Sequence, residues 1–356
     1  MGRRGRHRFR LHHRRRAIQG GLRLYARQHA RVPVVTALPA PPAIQIAGVA
    51  LPRLAVVVPA RNRRDSLPRT MASVLCSQRA DIELVVIDDG STDGTESYLA
   101  SVDDARLAWR RLPQAVGANR ARNEGAALSR APLIAFLDSD DAFRPDRIDR
   151  LIGFFDENPG IDCTIDGFRD ISANVERVHQ LPVTTPDPEK LRQLLLCHCI
   201  PLTNSTLTIR RSAFIGIGGY DPELRRHQDR ELLLRLVGQR HIAFGAATDV
   251  LKYRSGNSMS RTHSGYIAGL DDLVARCPDY RSNGYESILS YLTLRGALKA
   301  AAQGHFRVAL DEVKAWRRAR NLPGGLHVLP GYFVGRRKRR VLERGLGQVL
   351  ATTSAE

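Results

Sequence analysis

The sequence predicts an α/β fold in which a mixed, mostly parallel sheet is flanked by helices and followed by a helical C-terminal extension. Short runs rich in Val, Ile and Leu alternate with segments whose apolar residues recur at helical spacing. These runs are apolar throughout rather than at every second position, which is typical of strands buried on both faces. Turn-forming residues follow them directly, so strands and helices alternate at short spacing.

The ordered part begins with the strand LAVVV at Leu54, and a helix around residues 67–75 follows. Three further strands are predicted at ELVVID, RLAWR and PLIAFLD, with an alanine-rich helix between the last two. Another helix is marked by apolar residues around 148–155. From about residue 160, shorter strands are predicted at CTIDGF, STLTIR, HIAF and VLKYR, with a helix near residues 229–237.

Basic residues are concentrated at the two ends of the chain. The net charge is +19, but residues 1–64 hold 15 of the 55 Lys and Arg and no acidic residue. Residues 314–356 hold ten more against two glutamates. The part between them is slightly acidic, which disfavours nucleic acid as a partner and makes anionic lipid the surface that the basic ends would fit.

Three segments follow from these patterns. Residues 1–53 are predicted to be a disordered basic arm and a Pro- and Ala-rich linker, although an incorrectly early start codon would also account for the arm. Residues 54–262 are predicted to form the α/β domain. Residues 263–356 are predicted to be a basic, helical C-terminal extension, interrupted at Gly304.

Cysteine usage and hydropathy favour a cytoplasmic protein. Five scattered cysteines give no disulfide framework. Cys197-His198-Cys199 is interpreted as a partly buried helix end rather than a metal clip, because no second ligand pair stands at zinc spacing. The longest near-apolar stretch, residues 44–58, is too short and too interrupted for a membrane-spanning helix. We therefore expect a cytoplasmic protein that is attached to the inner face of a membrane by its basic ends.

Two acidic clusters stand directly after predicted strands. Asp88 and Asp89 follow ELVVI, and Asp138, Asp140 and Asp141 follow PLIAFL. Ligands of parallel α/β sheets bind beyond the carboxyl ends of the strands. Carboxylates on such a turn suit Mg²⁺ or Mn²⁺, which reach proteins through one or two carboxylates and substrate phosphates. On these residues alone, an acidic turn that caps the next helix is the alternative.

Four motifs follow one another along the chain: VVVPARN, VVIDDGSTDGT, GANRARNEGAALSRAPLIAFLDSDD and GGYDPELRRHQDRELLLRL. In this order and spacing they resemble the family 2 glycosyltransferases with the GT-A fold, over about residues 54–261. The resemblance implies a metal-dependent enzyme that moves one sugar from a nucleotide-diphosphate donor. The donor would be a UDP-sugar, as is usual in the family. The acceptor would be a glycan, a lipid-linked intermediate or a small molecule, in cell-envelope, capsule or lipid-linked glycan synthesis.

The resemblance also implies a set of residues that hold the donor. The nucleotide pocket would be lined by the turn of Pro59, Ala60, Arg61 and Asn62. Asp89 would accept a hydrogen bond from the base of the nucleotide, and Arg122 would lie near the diphosphate. Asp140 would be the direct ligand of Mn²⁺ or Mg²⁺. Asp138 would lie near the ribose and the water shell of the metal.

On the acceptor side, the resemblance makes Asp229 the general base, which removes the proton of the acceptor hydroxyl as the new bond forms. Gly218, Gly219 and Tyr220 would form the loop beneath the transferred sugar and the acceptor. A metal held on one side of the anomeric carbon and a base on the other imply in-line displacement, so the product would have inverted configuration.

The sequence departs from the family pattern at two places, and the first of them motivates an alternative function. The family has Glu-Asp and then an aromatic residue at the base position, where this chain has Gln228, Asp229 and Arg230. Many relatives have a His after the last core strand, and YRSGNSMSR has none. The alternative is a catalytically silent relative that binds a nucleotide sugar and acts as a scaffold. The Gln-x-x-Arg-Trp motif of processive synthases is absent from the sequence, which favours transfer of a single sugar.

Overall fold

The computed structural model describes residues 51–172, 175–253, 266–281, 285–319 and 328–353. Its strands are β1 (Leu54–Ala60), β2 (Ile82–Asp88), β3 (Leu107–Arg111), β4 (Leu133–Phe136), β5 (Ala142–Phe143), β6 (Cys163–Ile165), β7 (Phe168–Ser172), β8 (Val175–His179), β9 (Leu207–Arg210), β10 (Ile242–Phe244) and β11 (Val250–Tyr253). Its helices are α1 (Leu67–Leu75), α2 (Thr95–Ala100), α3 (Ala118–Leu128), α4 (Arg147–Glu157), α5 (Pro188–Leu196), α6 (Arg211–Gly216), α7 (Gln228–Leu236), α8 (Tyr266–Arg276), α9 (Glu286–Ala302), α10 (Phe306–Ala319) and α11 (Val328–Thr353).

The main sheet has seven strands in the order β10-β6-β9-β4-β1-β2-β3. Strand β9 runs antiparallel to both of its neighbours, and the other neighbouring pairs are parallel. This is the mixed, mostly parallel sheet that the apolar runs predict. Strands β1 and β2 are buried along their whole length, because helices cover both faces of the sheet at its centre.

A second sheet of four strands, in the order β5-β11-β7-β8, was not predicted. The segment CTIDGF, predicted as one strand, is divided between the two sheets. It forms β6 and then, after Gly167, the first residue of β7. A side chain at Gly167 would place a Cβ 2.4 Å from the carbonyl oxygen of His179. Two backbone segments therefore meet at this point, and the strand breaks there.

Each face of the main sheet has its own apolar core. One core includes Val57 and Ile87 with residues of α3, α5 and α7, and the other packs α1 and α4 against the opposite face. Helix α3 lies so close to β1 that a Cβ on Gly125 would come within 2.4 Å of Val57 Cγ1. This contact fixes the start of α3 beside the carboxyl ends of the central strands.

The C-terminal extension is helical, as predicted, and α9 and α10 are separated at Gly304, which has a φ of +81°. Helix α9 packs closely on α11, since a Cβ on Gly335 would lie 2.1 Å from the carbonyl oxygen of Ser287. The predicted boundary at residue 262 falls outside the described residues, as does the predicted arm up to residue 50. In the ranges that the structure describes, no helix is long and apolar enough to cross a membrane.

Candidate active site

A cavity of about 780 Å³ opens where the central parallel strands end. One side, which we name the strand-end half, is formed by Ala60, Asp89, Asp138 and Asp140, which end or follow β1, β2 and β4. A second group of lining residues, which we name the helical half, consists of residues 225–230 and one face of α9 between residues 292 and 300. The two halves come from parts of the chain that are distant in sequence.

The carboxylates of Asp138 and Asp140 line the strand-end half. Arg122 donates from Nη2 to Asp138 Oδ1 over 2.6 Å, and Arg63 lies 3.6 Å from Asp140 Oδ2. Burial opposes ionisation of Asp138, but the cations of Arg122 and Lys252 hold its pKa below the usual value. The pKa of Asp140 is raised by burial and by the charge of Asp138. Burial and the neighbouring carboxylate of Asp138 thus both oppose ionisation of Asp140.

Asp141 lies beneath the cavity and supports the cluster from below. It is fully buried, accepts a hydrogen bond of 2.7 Å from Ser205 Oγ and lies 3.5 Å from Lys252 Nζ. Its Oδ1 has no partner among the described residues, and burial raises its pKa to about 7. Ser205 also accepts a hydrogen bond from the backbone N–H of Asp138. Asp141 thus helps to fix the turn that presents Asp138 to the cavity.

The residues of this turn fit a divalent cation that a substrate would complete. In the described ranges, no three His, Cys, Asp or Glu side chains converge as a finished metal site. Mg²⁺ and Mn²⁺ commonly bind through one or two carboxylates and the phosphates of a substrate. Asp140 and Asp138 supply carboxylates on the cavity wall, and the raised pKa of Asp140 is the effect that a bound cation would reverse.

The predicted turn of residues 59–62 lies close to Asp89, but not all of its residues line the cavity. Pro59, Ala60 and Arg61 line the cavity. Asn62 does not, because its side chain binds the next loop and accepts a hydrogen bond of 2.9 Å from the N–H of Thr92. Asp89 lines the cavity, and its two oxygens accept hydrogen bonds from the N–H groups of residues 116 and 117, at 2.6 and 2.9 Å. Each oxygen keeps a lone pair with which to accept a further bond.

The loop of Gly218, Gly219 and Tyr220 packs beside α3 and does not itself line the cavity. Tyr220 is 1% exposed, and its ring packs 5.1 Å from that of Phe136, behind the cavity wall. Gly219 has a φ of +69°, and its loop is bound to α3 by Asn123, which exchanges hydrogen bonds with the backbone of Tyr220. The loop attaches α3 to the next segment, and its place beneath the transferred sugar and the acceptor stays a prediction.

Asp229 lies in the first turn of α7 and lines the helical half. The positive end of the helix dipole favours a carboxylate at this position. His227, two residues before Asp229, has a φ of +60°, which turns the chain sharply into the helix. Such backbone conformations cluster at functional sites.

Arg230 occupies the position at which the family has an aromatic residue, and its guanidinium acts as an anchor. It is 6% exposed and donates to the carbonyl oxygens of Leu195 and Ile200, at 2.5 and 3.5 Å. Those carbonyls lie at the end of α5 and just beyond it, where helix acceptors otherwise lack partners. The interpretation of Cys197-His198-Cys199 as a partly buried helix end is confirmed. Arg230 therefore holds the start of α7, and with it Asp229, against α5.

Sequence reasoning missed several residues that line the cavity. They are Arg63, His198, Arg225, Arg226, Lys252, Arg295 and Lys299. Lys252 belongs to β11, a predicted strand, but its pattern did not show which side chain would reach the acidic cluster. Arg295 and Lys299 have helical i, i+4 spacing and so share one face of α9. Nothing in the sequence indicated that this face would close the cavity.

The family model of glycosyl transferase family 2 matches residues 55–218. This match covers just under half of the chain, and includes β1 to β9 and the strand-end half of the cavity. The chain is 39% identical over 112 residues to the succinoglycan biosynthesis protein ExoO of Rhizobium meliloti (strain 1021), covering 32% of this chain and 31% of that protein. It is 31% identical over 103 residues to the Escherichia coli UDP-Glc:alpha-D-GlcNAc-diphosphoundecaprenol beta-1,3-glucosyltransferase WfaP, covering 29% and 41%.

Among solved structures, the crystal structure of S. aureus TarS 1-349 in complex with UDP-GlcNAc superposes with a TM-score of 0.57 at 17% identity, covering 84% of this chain and 92% of that one. This likeness confirms the GT-A fold predicted from the motifs. The chain spans less than two thirds of the length of the curated relatives named here. The relatives are enzymes or proteins of polysaccharide biosynthesis by name, and the family is one of transferases.

Proposed function

We propose that this chain transfers a single sugar from a nucleotide-diphosphate sugar to an acceptor hydroxyl, with Mn²⁺ or Mg²⁺ and with inversion at the anomeric carbon. One observation carries the proposal: Asp138, Asp140 and Asp229 line a single cavity at the strand ends of a family 2 domain. Carboxylates suited to a cation and a carboxylate suited to a base are thereby available to one bound substrate pair.

The strand-end half would hold the donor. Pro59, Ala60 and Arg61 would flank the nucleotide, and Asp89 would accept a hydrogen bond from its base. Arg122, which is 3% exposed and bonded to Asp138, would lie at the diphosphate. A uridine nucleotide is supported by two similar proteins: TarS is in complex with UDP-GlcNAc, and WfaP is named as a UDP-Glc enzyme.

Asp140, with Asp138 in support, would hold the cation. When bound, the cation neutralises charge that builds on the departing diphosphate. The surrounding side chains keep the two carboxylates in place, because Arg122 binds Asp138 and the Arg69 guanidinium donates to the carbonyl oxygen of Asp140 over 2.8 Å.

Asp229 would take the proton of the acceptor hydroxyl as that oxygen attacks the sugar. A neutral hydroxyl is a poor nucleophile, and a positioned base contributes about 100- to 10,000-fold to such steps. Asp229 belongs to the helical half, whereas the cation site belongs to the strand-end half. Attack by the acceptor oxygen from the face opposite the departing diphosphate would invert the anomeric carbon.

We also propose that the protein acts at the inner face of the cell membrane, in keeping with relatives named for cell-envelope glycans. Helix α11 carries the basic run 336–340 and the exposed apolar residues Phe333, Val334 and Val341. A helix that presents both kinds of side chain suits an anionic bilayer surface. Sedimentation with vesicles should show binding to phosphatidylglycerol but not to phosphatidylcholine alone. Equal retention on both would contradict the attachment.

Donor binding can be tested by thermal stabilisation with a panel of UDP-, GDP- and dTDP-sugars, each with and without Mn²⁺. We expect at least one UDP-sugar to raise the melting temperature only when Mn²⁺ is present. Asp140→Ala should remove this metal-dependent rise. Asp103→Ala changes an exposed carboxylate outside the cavity and serves as the matched control. No stabilisation by any nucleotide sugar would contradict the proposed function.

A second candidate function is a catalytically silent scaffold that binds a nucleotide sugar, as Gln228 and Arg230 suggest by departing from the family pattern. The contacts of Arg230 give that residue a role in holding α7, so its presence does not by itself require loss of catalysis. The scaffold would show donor binding without turnover.

A further inference from the structure

We propose that the acceptor carries a phosphate group of its own, which binds a basic wall formed by Arg225, Arg226, Arg295 and Lys299. This inference rests on the proposed function and names the chemical class of the acceptor. The basic wall belongs to the helical half, which also contains Asp229. A phosphate held there would place its carrier molecule beside the base rather than beside the donor nucleotide.

The cavity as a whole has more cations than anions. Nine Arg and Lys line it against five Asp and Glu. In the strand-end half, Arg122 and Lys252 have carboxylate partners at 2.6 and 3.5 Å. Within the described ranges, no carboxylate forms an ion pair with Arg225, Arg295 or Lys299. A cleft lined by unbalanced charge of one sign concentrates ligands of the opposite sign.

The basic wall rests on fixed elements. Arg295 and Lys299 lie one turn apart on α9, which packs against α11 where Gly335 meets Ser287. The loop that carries Arg225 begins after Leu224, whose carbonyl oxygen accepts a hydrogen bond of 2.8 Å from Asn119, and it ends at the start of α7. Because both supports are ordered, less conformational entropy is lost when a ligand binds.

Helix α8 also supports the basic wall. The side chain of Arg226 crosses Gly269 of that helix so closely that a Cβ there would lie 2.8 Å from Arg226 Cβ. Arg276, at the end of α8, forms an ion pair with Asp221 near the start of the same loop. The C-terminal extension thus supplies one part of the basic wall from α9 and holds the other part in place from α8.

Phosphate is the anion that this chemistry fits best. Guanidinium groups match two phosphate oxygens at once, and an ammonium adds a compact charge. The same side of the cavity contains the apolar residues Leu202, Leu292 and Ala297, so an apolar group next to the phosphate would also find contacts. A lipid-linked phosphate and a soluble sugar phosphate share the chemistry that the basic wall recognises.

The test measures binding of three probes to the full chain saturated with UDP and Mn²⁺: inorganic pyrophosphate, decyl diphosphate and uncharged decyl β-glucoside. Calorimetry should show that the double variant R295A/K299A loses at least about tenfold in affinity for both phosphate probes, because two charge-assisted contacts to the phosphate are removed. The control R307A/K314A removes the same charge from exposed positions of α10 outside the cavity and should bind like the wild type.

UDP affinity is measured separately in each variant and should change less than about twofold, because the strand-end half is untouched. Unchanged pyrophosphate affinity in R295A/K299A would overturn the inference. So would a parallel loss of UDP affinity, which would assign the basic wall to the donor. Tighter binding of decyl diphosphate than of pyrophosphate supports a lipid-linked acceptor, and equal binding supports a soluble one. Failure of the wild type to bind UDP would instead remove the proposed function.

Discussion

The two halves of the cavity are built in different ways. In the strand-end half, functional side chains follow strands of the buried sheet, and their oxygens and guanidiniums are already paired with one another, as Arg122 is with Asp138. In the helical half, basic side chains such as Arg225 and Arg295 are exposed and lack carboxylate partners within the described ranges. The first arrangement suits a ligand of fixed chemistry, such as a nucleotide diphosphate. The second suits a substrate that differs between relatives.

The largest expected effect separates the two halves by function. Asp229→Asn should lower the rate of sugar transfer by about 1,000-fold, because the base is lost while the shape of the site is kept. UDP affinity should change less than about twofold, since the donor is held by the other half. Initial rates and calorimetry on the same protein check both statements. Glu223→Gln, at a side chain that is 75% exposed near the same loop, is the control. Retained transfer would remove Asp229 from its role.

The next largest effect concerns a cluster of buried charged side chains that supports the strand-end half. Asp166 is fully buried and accepts bonds from Arg147 and Arg150 at 2.9 and 3.0 Å, in a cluster that continues to Asp249 just before β11. Asp166→Ala removes one of the two carboxylates that Arg147 and Arg150 share and leaves two cations against Asp249 alone, so the free energy of unfolding should fall by about 3 kcal/mol. Glu176→Gln, in the exposed pair with Arg169, should cost at most about 1 kcal/mol. Urea unfolding monitored by circular dichroism measures both, and equal losses would contradict this account.

A smaller effect tests the close packing of α3 on β1. Gly125→Ala would place a Cβ 2.4 Å from Val57 Cγ1, and overpacking of this kind costs about 1–3 kcal/mol. Gly153→Ala, in α4, meets nothing within 4 Å and should instead stabilise the fold by about 0.5–1 kcal/mol. The two variants should therefore shift the urea midpoint in opposite directions. A shift of the same sign in both variants would contradict the close contact between α3 and β1 at Gly125.

The smallest expected effect concerns how the stability of the fold responds to acid. It arises from two histidines that line the cavity, His198 and His227. Burial, with Arg230 and Arg226 nearby, lowers the pKa of His227 to about 3 from its ordinary 6.5. The pKa of His198 is lowered by burial and by the nearby Arg230, His227 and Arg339. Both side chains are therefore neutral in the folded state and charged in the unfolded chain at mildly acidic pH. Their stabilisation is complete above about pH 6.5 and is lost as the pH falls.

When the pH is lowered from 7.5 to 5.5, the wild type should lose about 1 kcal/mol more unfolding free energy than His227→Asn. The reason is that the variant has one titrating group fewer. Asn tolerates the left-handed backbone that His227 adopts. His241→Asn, at a side chain that is 77% exposed, is the control and should lose as much stability as the wild type. Urea midpoints at the two pH values give the comparison. An acid response of His227→Asn equal to that of the wild type would contradict the lowered pKa of this side chain.

The sequence predicted the strand-end half well because its residues stand next to elements with strong patterns. LAVVV, ELVVID and PLIAFLD each read as buried strands, and the side chains that follow them must meet at one edge of a parallel sheet. Asp89, Asp138 and Asp140 accordingly line one cavity at the strand ends. Tyr220 does not, because a motif shows that a loop exists but not which of its side chains turns inward.

The helical half could not be predicted in the same way. Helix α9 is apolar on more than one side, with Leu292 buried and Leu298 exposed, so its pattern does not show which face covers the domain. The contribution of Arg295 depends on how the extension docks, which is a matter of long-range packing. Lys252 was missed for a similar reason, since β11 joins a second sheet that the apolar runs did not indicate.

The most direct test of the central claim is release of UDP by the purified chain from UDP-sugars with Mn²⁺, measured with and without a panel of phosphate-bearing acceptors. We predict that at least one UDP-sugar is turned over, that an acceptor with a phosphate accelerates the release, and that EDTA stops it. Tight binding of a UDP-sugar with no release of UDP under any of these conditions would contradict the claim and leave a nucleotide-sugar-binding scaffold.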